Sequence, residues 1–181
     1  MINKLGRLAH GVRNELKGTN NIYFINKNEV PQHKTPTYAQ IVFDIWPSKT
    51  KKYRVWIIAG GDCVEYPYEL STLTVEMTTA KLLLNSTIST PNAQFMTSDI
   101  KKYFLETPLD TPEYMKILIQ LIPQKLITEY KLQDKVYNSY IYIKIVKGMY
   151  GLSQANILAY QQLAKWLESH GYMNIKLTPE L

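Results

Sequence analysis

The chemistry that this sequence could support centres on Asp99. This aspartate lies near the end of a short strand predicted over 95–100, and a basic and aromatic segment, 101–104, follows it. A carboxylate at a strand end, facing a groove, can hold a hard divalent cation and leave positions open for substrate phosphates. An aspartate before a helical turn is more often an N-cap. The local pattern leaves both alternatives open.

The histidines and the single cysteine do not suggest a second site. His10, His33 and His170 are scattered, without a companion at the helical or turn spacing that a metal site or a proton relay would need. Cys63 is the only cysteine, so an internal disulfide or a zinc–thiolate cluster is excluded, and an intracellular protein is favoured.

The overall charge favours a polyanionic partner. The chain has 21 Lys and Arg against 15 Asp and Glu, a net charge of +6, and 14 tyrosines. Basic groups release counterions from phosphate backbones, and aromatic faces stack on bases. The sequence contains no apolar run of membrane-spanning length, so we expect no membrane partner and a cytoplasmic location.

The elements that must position Asp99 are strands and helices in mixed order, which predicts an α+β fold. Segment 18–37 is interpreted as an irregular arm with a short strand at 22–25. Pro108 and Pro112 confine the segment between the strands predicted over 95–100 and 114–121 to a turn or brief helix. The remaining predicted elements are a hairpin of strands over 37–46 and 52–61, a buried helix over 73–88, strands over 95–100, 114–121 and 140–146, and helices over 123–132 and 155–167.

Two stretches of the sequence resemble the reverse transcriptases of copia-type retrotransposons. FMTSDIKKYFLETPL, from Phe95, is similar to that family's first catalytic motif, an aspartate at the end of a palm strand followed by aromatic residues and leucine. KGMYGLSQANILA, from Lys147, is similar to its second signature, a Tyr-Gly-Leu turn leading to a glutamine and a palm helix. The resemblance covers almost the whole chain in the same order, through RLAHG, KGTNNIYFI, TYAQIVFDI, MTTAKLLLNSTISTP and HGYMNIKLTP.

This resemblance implies the fingers and a partial palm of a right-hand-like polymerase, as a fragment of a Pol polyprotein. Its parts would be an N-terminal arm at 1–36, a fingers-like part at 37–94 and a partial palm at 95–181. The implied activity is RNA-directed DNA polymerisation by two-metal nucleotidyl transfer. The implied partners are an RNA template, a DNA primer, deoxynucleoside triphosphates and the remaining Pol segments, in the cytoplasm and within virus-like particles.

The resemblance also implies residue roles at the metal and nucleotide sites. Asp99 would be a catalytic aspartate that binds Mg²⁺, and the backbone carbonyl of Ile100 would complete the shell of the second metal. Phe104 would fill the aromatic steric-gate position, and Gln154 would contact the incoming nucleotide near its sugar. In the fingers hairpin, Lys52 and Arg54 would hold triphosphate oxygens.

The sequence departs from the family in two ways. It contains no Asp-Asp dipeptide, so we expect a chain truncated before the catalytic Asp-Asp hairpin and inactive by itself. Trp46 and Trp56 stand where relatives carry arginine, which would remove charge from the surface that meets nucleotide or template. Two alternatives stay open, a non-catalytic nucleic-acid-binding remnant and a structural leftover of a disabled element.

Overall fold

The computed structural model describes residues 1–13, 15–48, 50, 52–64, 66–67, 75–97 and 100–172. Helices and strands alternate in this part of the chain, which confirms the α+β class. The helices are α1 (Ile2–Leu8), α2 (Met77–Ser89), α3 (Tyr103–Glu106), α4 (Gln124–Glu129) and α5 (Ser153–Ser169). The strands are β1 (Gly11–Val12), β2 (Leu16–Lys17), β3 (Ile22–Ile25), β4 (Thr37–Ile45), β5 (Tyr53–Ala59), β6 (Pro108–Leu118) and β7 (Tyr140–Lys147).

Five of the strands form one sheet in the order β3-β7-β6-β4-β5. All neighbours are antiparallel except β4 and β6, which are parallel and pair only through Thr37 with Met115 and Tyr38 with Lys116. Beyond that short contact, the predicted hairpin of β4 and β5 continues as a two-stranded extension of the sheet.

Strand β7 places its isoleucines in the core. Ile141, Ile143 and Ile145 are each 0% exposed, as their alternation with polar residues predicts. The opposite face was expected to be solvated, but Tyr142 on that face is buried in a second, smaller cluster with residues Ile25, Val30 and Tyr114. Both faces of the sheet are therefore covered at this strand.

The N-terminal segment, predicted as an irregular arm, contributes to the core. Leu5 of α1 is 0% exposed, and the short predicted strand is β3, which pairs with β7. The backbone carbonyl of Asn21, just before β3, accepts a hydrogen bond from Val146 N. These contacts tie β3 and Asn21 to β7, while Leu5 joins α1 to the hydrophobic core.

The turn or brief helix predicted between the strands at 95–100 and 114–121 is found in part, as α3, but β6 begins earlier than predicted and runs through Pro108 and Pro112. Pro108 is the first residue of β6, opposite Lys147, and Pro112 lies where the register of β6 against β7 shifts, between Pro108 and Glu113, so its missing N–H is tolerated there. Tolerance of proline at such a bulge explains why the strand begins earlier than expected.

Two predictions around the first motif also differ from the structure. Helix α2 forms as expected, but no residue in it is buried, and Ile88 is 84% exposed. Residues 95–97 and Ile100 pair with none of the strands, so the predicted strand is wrong over its described part. In the described part of the chain, α2 is left without an element that buries its apolar stripe. None of the helices in the described ranges is long and apolar enough to cross a membrane.

Candidate functional site

The turn between β7 and α5, residues 148–152, joins the two motif segments. Gly148 N donates to Thr107 O at 2.7 Å. The buried side chain of Asn21 bridges both segments, because its Nδ2 donates to Leu105 O at 2.6 Å and to Gly148 O at 3.1 Å. Residues that are distant in sequence are thus fixed against each other by backbone and amide hydrogen bonds.

Two glycines permit this close approach. A Cβ on Gly148 would overlap the carbonyl oxygen of Phe104, and one on Gly151 would overlap that of Ala59. Gly151 also has a φ of +92°, which disfavours other L residues. Since Ala59 N donates to Tyr150 O at 2.9 Å, the turn is held against the end of β5 as well as against α3.

A row of aromatic rings follows from this packing. Trp56 meets Tyr150 edge to face at 5.2 Å, Tyr150 meets Phe104 at 6.1 Å, and Phe104 meets Tyr103 at 5.3 Å between ring centroids. Edge-to-face geometry is a favourable arrangement of aromatic pairs. Tyr150 is 39% exposed, so the row reaches the surface at its middle. Burial, with a smaller contribution from Tyr160, raises the pKa of Tyr103.

Gln154, predicted to contact the nucleotide, is buried in this structure. It is 3% exposed, and its Nε2 donates to Glu113 Oε1 at 3.4 Å. Lys34 Nζ donates to the same oxygen at 2.9 Å, which forms an ion pair with a buried carboxylate. Gln154 Oε1 has no hydrogen-bond partner among the described residues. Phe104 contacts Tyr150 of the same turn, and Gln154 follows the turn in the first residues of α5. Both predicted residues therefore lie next to residues 148–152.

The predicted triphosphate-binding residues lie on the hairpin of β4 and β5. Arg54 stacks its guanidinium over the Trp46 ring at 4.0 Å from the centroid, and Lys52 is exposed just before β5. Asp44, opposite Arg54 in the ladder, accepts the indole N–H of Trp46. The structure therefore puts Lys52 and Arg54 on the hairpin, and Phe104 and Gln154 at the turn.

The predicted metal ligands are only partly described. Asp99 lies outside the described residues, and Ile100 is 44% exposed. Within the described ranges, no group of three or more His, Cys, Asp or Glu side chains could hold a metal ion. The roles of Asp99 and Ile100 stay predictions from the resemblance.

Sequence reasoning missed three residues of this region, namely Asn21, Glu113 and Lys4. The bridging role of Asn21 and the position of Lys4 at Trp56 depend on tertiary contacts that no local pattern reports. Glu113 left a signal, because it alternates with Met115 and Ile117, both buried, on one face of β6.

The chain matches no protein-family model, no curated protein and no solved structure. Its family therefore depends on the sequence motifs, and its function on those motifs and on the geometry at the turn.

Proposed function

We propose that this chain is part of a copia-type reverse transcriptase, containing the fingers and the upper palm of an RNA-directed DNA polymerase. The observation that carries the proposal is the contact between the two motif segments. The segment after Asp99 and the Tyr-Gly-Leu turn are joined through Gly148, Thr107 and Asn21 at hydrogen-bonding distance. Motifs that serve one active site have to meet in space, and this contact supports such a shared site.

The surroundings of the turn support binding of nucleotides and nucleic acid. Phe104 would wall the sugar pocket, and Gln154 would contact the nucleotide once its amide becomes accessible. The aromatic row offers stacking surface, and Lys52 and Arg54 offer positive charge on the adjacent hairpin. Together they fit a template, a primer and a deoxynucleoside triphosphate as ligands.

Two-metal nucleotidyl transfer needs several carboxylates to hold both Mg²⁺ ions. The described residues do not fit such a site by themselves, since they contain no suitable acidic group. Asp99 and the carbonyl of Ile100 would contribute to it, together with carboxylates from outside this chain.

Fragment complementation tests the proposal. The chain would be co-expressed with a palm segment that carries the Asp-Asp hairpin of a copia-type reverse transcriptase, and RNA-templated primer extension would be measured. We expect synthesis from the pair, none from either part alone, and none after Asp99→Ala. Lack of synthesis from a pair that co-purifies and binds primer–template would contradict the polymerase assignment, as would activity unaffected by Asp99→Ala.

A nucleic-acid-binding protein without catalysis is the second candidate. The aromatic row and the net charge of +6 favour it, because neither depends on a metal site. It predicts binding of primer–template that survives Asp99→Ala and weakens with salt, without synthesis in the complemented pair.

A further inference from the structure

Three cationic side chains approach one another where α1 packs against β5. Lys4 Nζ lies 4.8 Å from the centroid of the Trp56 ring. Burial, followed by the positive charges of Arg7 and Arg54, lowers the pKa of Lys4. Arg54 and Trp56 are two positions apart in β5 and therefore share one face of the hairpin. Helix α1 thus adds Lys4 and Arg7 to the surface that carries Arg54.

These three cations lack acidic partners. In the described part of the chain, none of them forms an ion pair with a carboxylate. The carboxylate opposite Arg54, Asp44, accepts the indole N–H of Trp46. Like charges held close together repel each other, and an anion bound among them would relieve that repulsion.

We propose that Lys4, Arg7 and Arg54 form a binding site for the phosphate backbone of single-stranded nucleic acid, with the aromatic row from Trp56 as the stacking surface for its bases. This combination of a cationic groove and successive aromatic rings is the general means by which proteins bind single strands. Lys4 and Arg7 lie on the N-terminal helix, which carries none of the residues assigned above to nucleotide or metal binding, whereas Arg54 and Phe104 also belong to the proposed nucleotide site.

The length of the row favours a strand over a mononucleotide. Four rings follow one another with centroid separations of 5.2, 6.1 and 5.3 Å, so the surface extends well beyond one base. A free triphosphate would use the cations but leave Tyr150 and Tyr103 without a role. A duplex hides its base faces, so it too would leave the rings unused.

Fluorescence anisotropy with the full chain and a labelled oligothymidylate of about 16 nucleotides tests the site. The variant Lys4→Gln/Arg7→Gln/Arg54→Gln is compared with a matched control, Lys81→Gln/Lys131→Gln/Lys165→Gln, which removes the same charge from exposed positions elsewhere. Affinity is measured between about 50 and 200 mM salt. Circular dichroism melts confirm that each variant is folded.

We expect the triple variant to bind roughly tenfold more weakly and to lose about 2 from the slope of log affinity against log salt, since each lost phosphate contact contributes about 0.7 on a single strand. Lys4→Arg/Arg7→Lys/Arg54→Lys should restore the slope. Tyr150→Leu should weaken binding about fivefold or more and leave the slope unchanged, because stacking carries no charge.

The inference depends on the proposed function, and the outcomes separate the two. Equal loss in the triple variant and the charge-matched control would overturn this site while leaving nucleic-acid binding intact. Displacement of the probe by inorganic triphosphate or by duplex DNA as readily as by unlabelled single strand would overturn the assignment to a single strand. Absence of any binding by the unmodified chain would overturn this inference and the nucleic-acid-binding function together.

Discussion

Replacing Lys34 by methionine should destabilise the fold by about 2 to 3 kcal/mol. Lys34 Nζ lies 2.9 Å from Glu113 Oε1, and the Glu113 side chain is only 7% exposed. Removing one partner of a buried ion pair costs roughly 3 to 5 kcal/mol, because the other charge is left without compensation. The Lys34 side chain is 26% exposed, so solvent screens part of that cost and we place the effect below this range.

A double-mutant cycle identifies the source of the effect. Glu113→Gln keeps an oxygen that can accept from Gln154 and removes the negative charge, so Lys34→Met/Glu113→Gln should be more stable than Lys34→Met alone. Lys125→Met serves as the control, since its ion pair with Glu15 is exposed and should change stability by no more than about 1 kcal/mol.

Urea denaturation followed by circular dichroism measures the unmodified chain, Lys34→Met, Glu113→Gln, Lys34→Met/Glu113→Gln and Lys125→Met, with the unfolding free energy obtained by linear extrapolation. Lys34→Met should also lower the melting temperature by roughly 4 to 12 °C for a chain of this size. If Lys34→Met costs no more than Lys125→Met, or if adding Glu113→Gln to it lowers stability further, the buried charge is not what stabilises this part of the sheet.

Three other substitutions test the packing and titration of the fold. Gly148→Ala should lower the unfolding free energy by about 2 to 3 kcal/mol, because its Cβ would overlap the carbonyl oxygen of Phe104. Gly171→Ala, at a position with a positive φ but open space, should lower it by about 1 kcal/mol. Equal losses in denaturant melts would contradict the close contact at Gly148. The raised pKa of Tyr103 contributes stability that is present below the ordinary tyrosine pKa near 10 and is lost as the pH rises through the higher folded pKa. Tyr103→Phe should therefore flatten the decline of stability above about pH 10, and an unchanged slope would count against this contribution. Ile143→Ala should lower the unfolding free energy by about 2 to 5 kcal/mol, because Ile143 is 0% exposed. Ile88→Ala should lower it by no more than about 0.5 kcal/mol, because Ile88 is 84% exposed. A comparable loss at Ile88 would mean that α2 is covered in solution.

Local sequence patterns predicted an element where the burial of its residues follows the period of that helix or strand. The isoleucines of β7, the hairpin of β4 and β5, and the presence of the helices α2 and α5 follow from such periods. The exposure of α2 could not be predicted, because an apolar stripe indicates a buried face only if another element lies against it. The bulge at Pro108 and Pro112 likewise depends on how β6 pairs with β7, and the sequence of β6 alone does not specify that pairing.

The candidate site was also predicted in part: the sequence identified its motifs but not the residues that hold them together. The motifs identified Phe104 and the turn from Gly148 to Gln154, and the structure brings these segments together. Their supports, Asn21 and the pair of Lys34 with Glu113, come from three other parts of the chain. A side chain that acts by bridging two backbone segments leaves no periodic signal in either of them.

The two tryptophans of the hairpin show how structure changes the meaning of a substitution. From the resemblance, Trp46 and Trp56 replace arginines, and a loss of positive charge from the hairpin surface was expected. In the structure each ring instead carries a cation, Arg54 over Trp46 at 4.0 Å and Lys4 over Trp56 at 4.8 Å. A cation above an aromatic face is attracted by the ring quadrupole, and the attraction increases with desolvation. The positive charge at this surface is therefore supplied by neighbouring residues, while the indole rings add stacking area. Lys4, Arg54 and Trp56 of this surface belong to the proposed single-strand site, and the test of that site does not depend on catalysis.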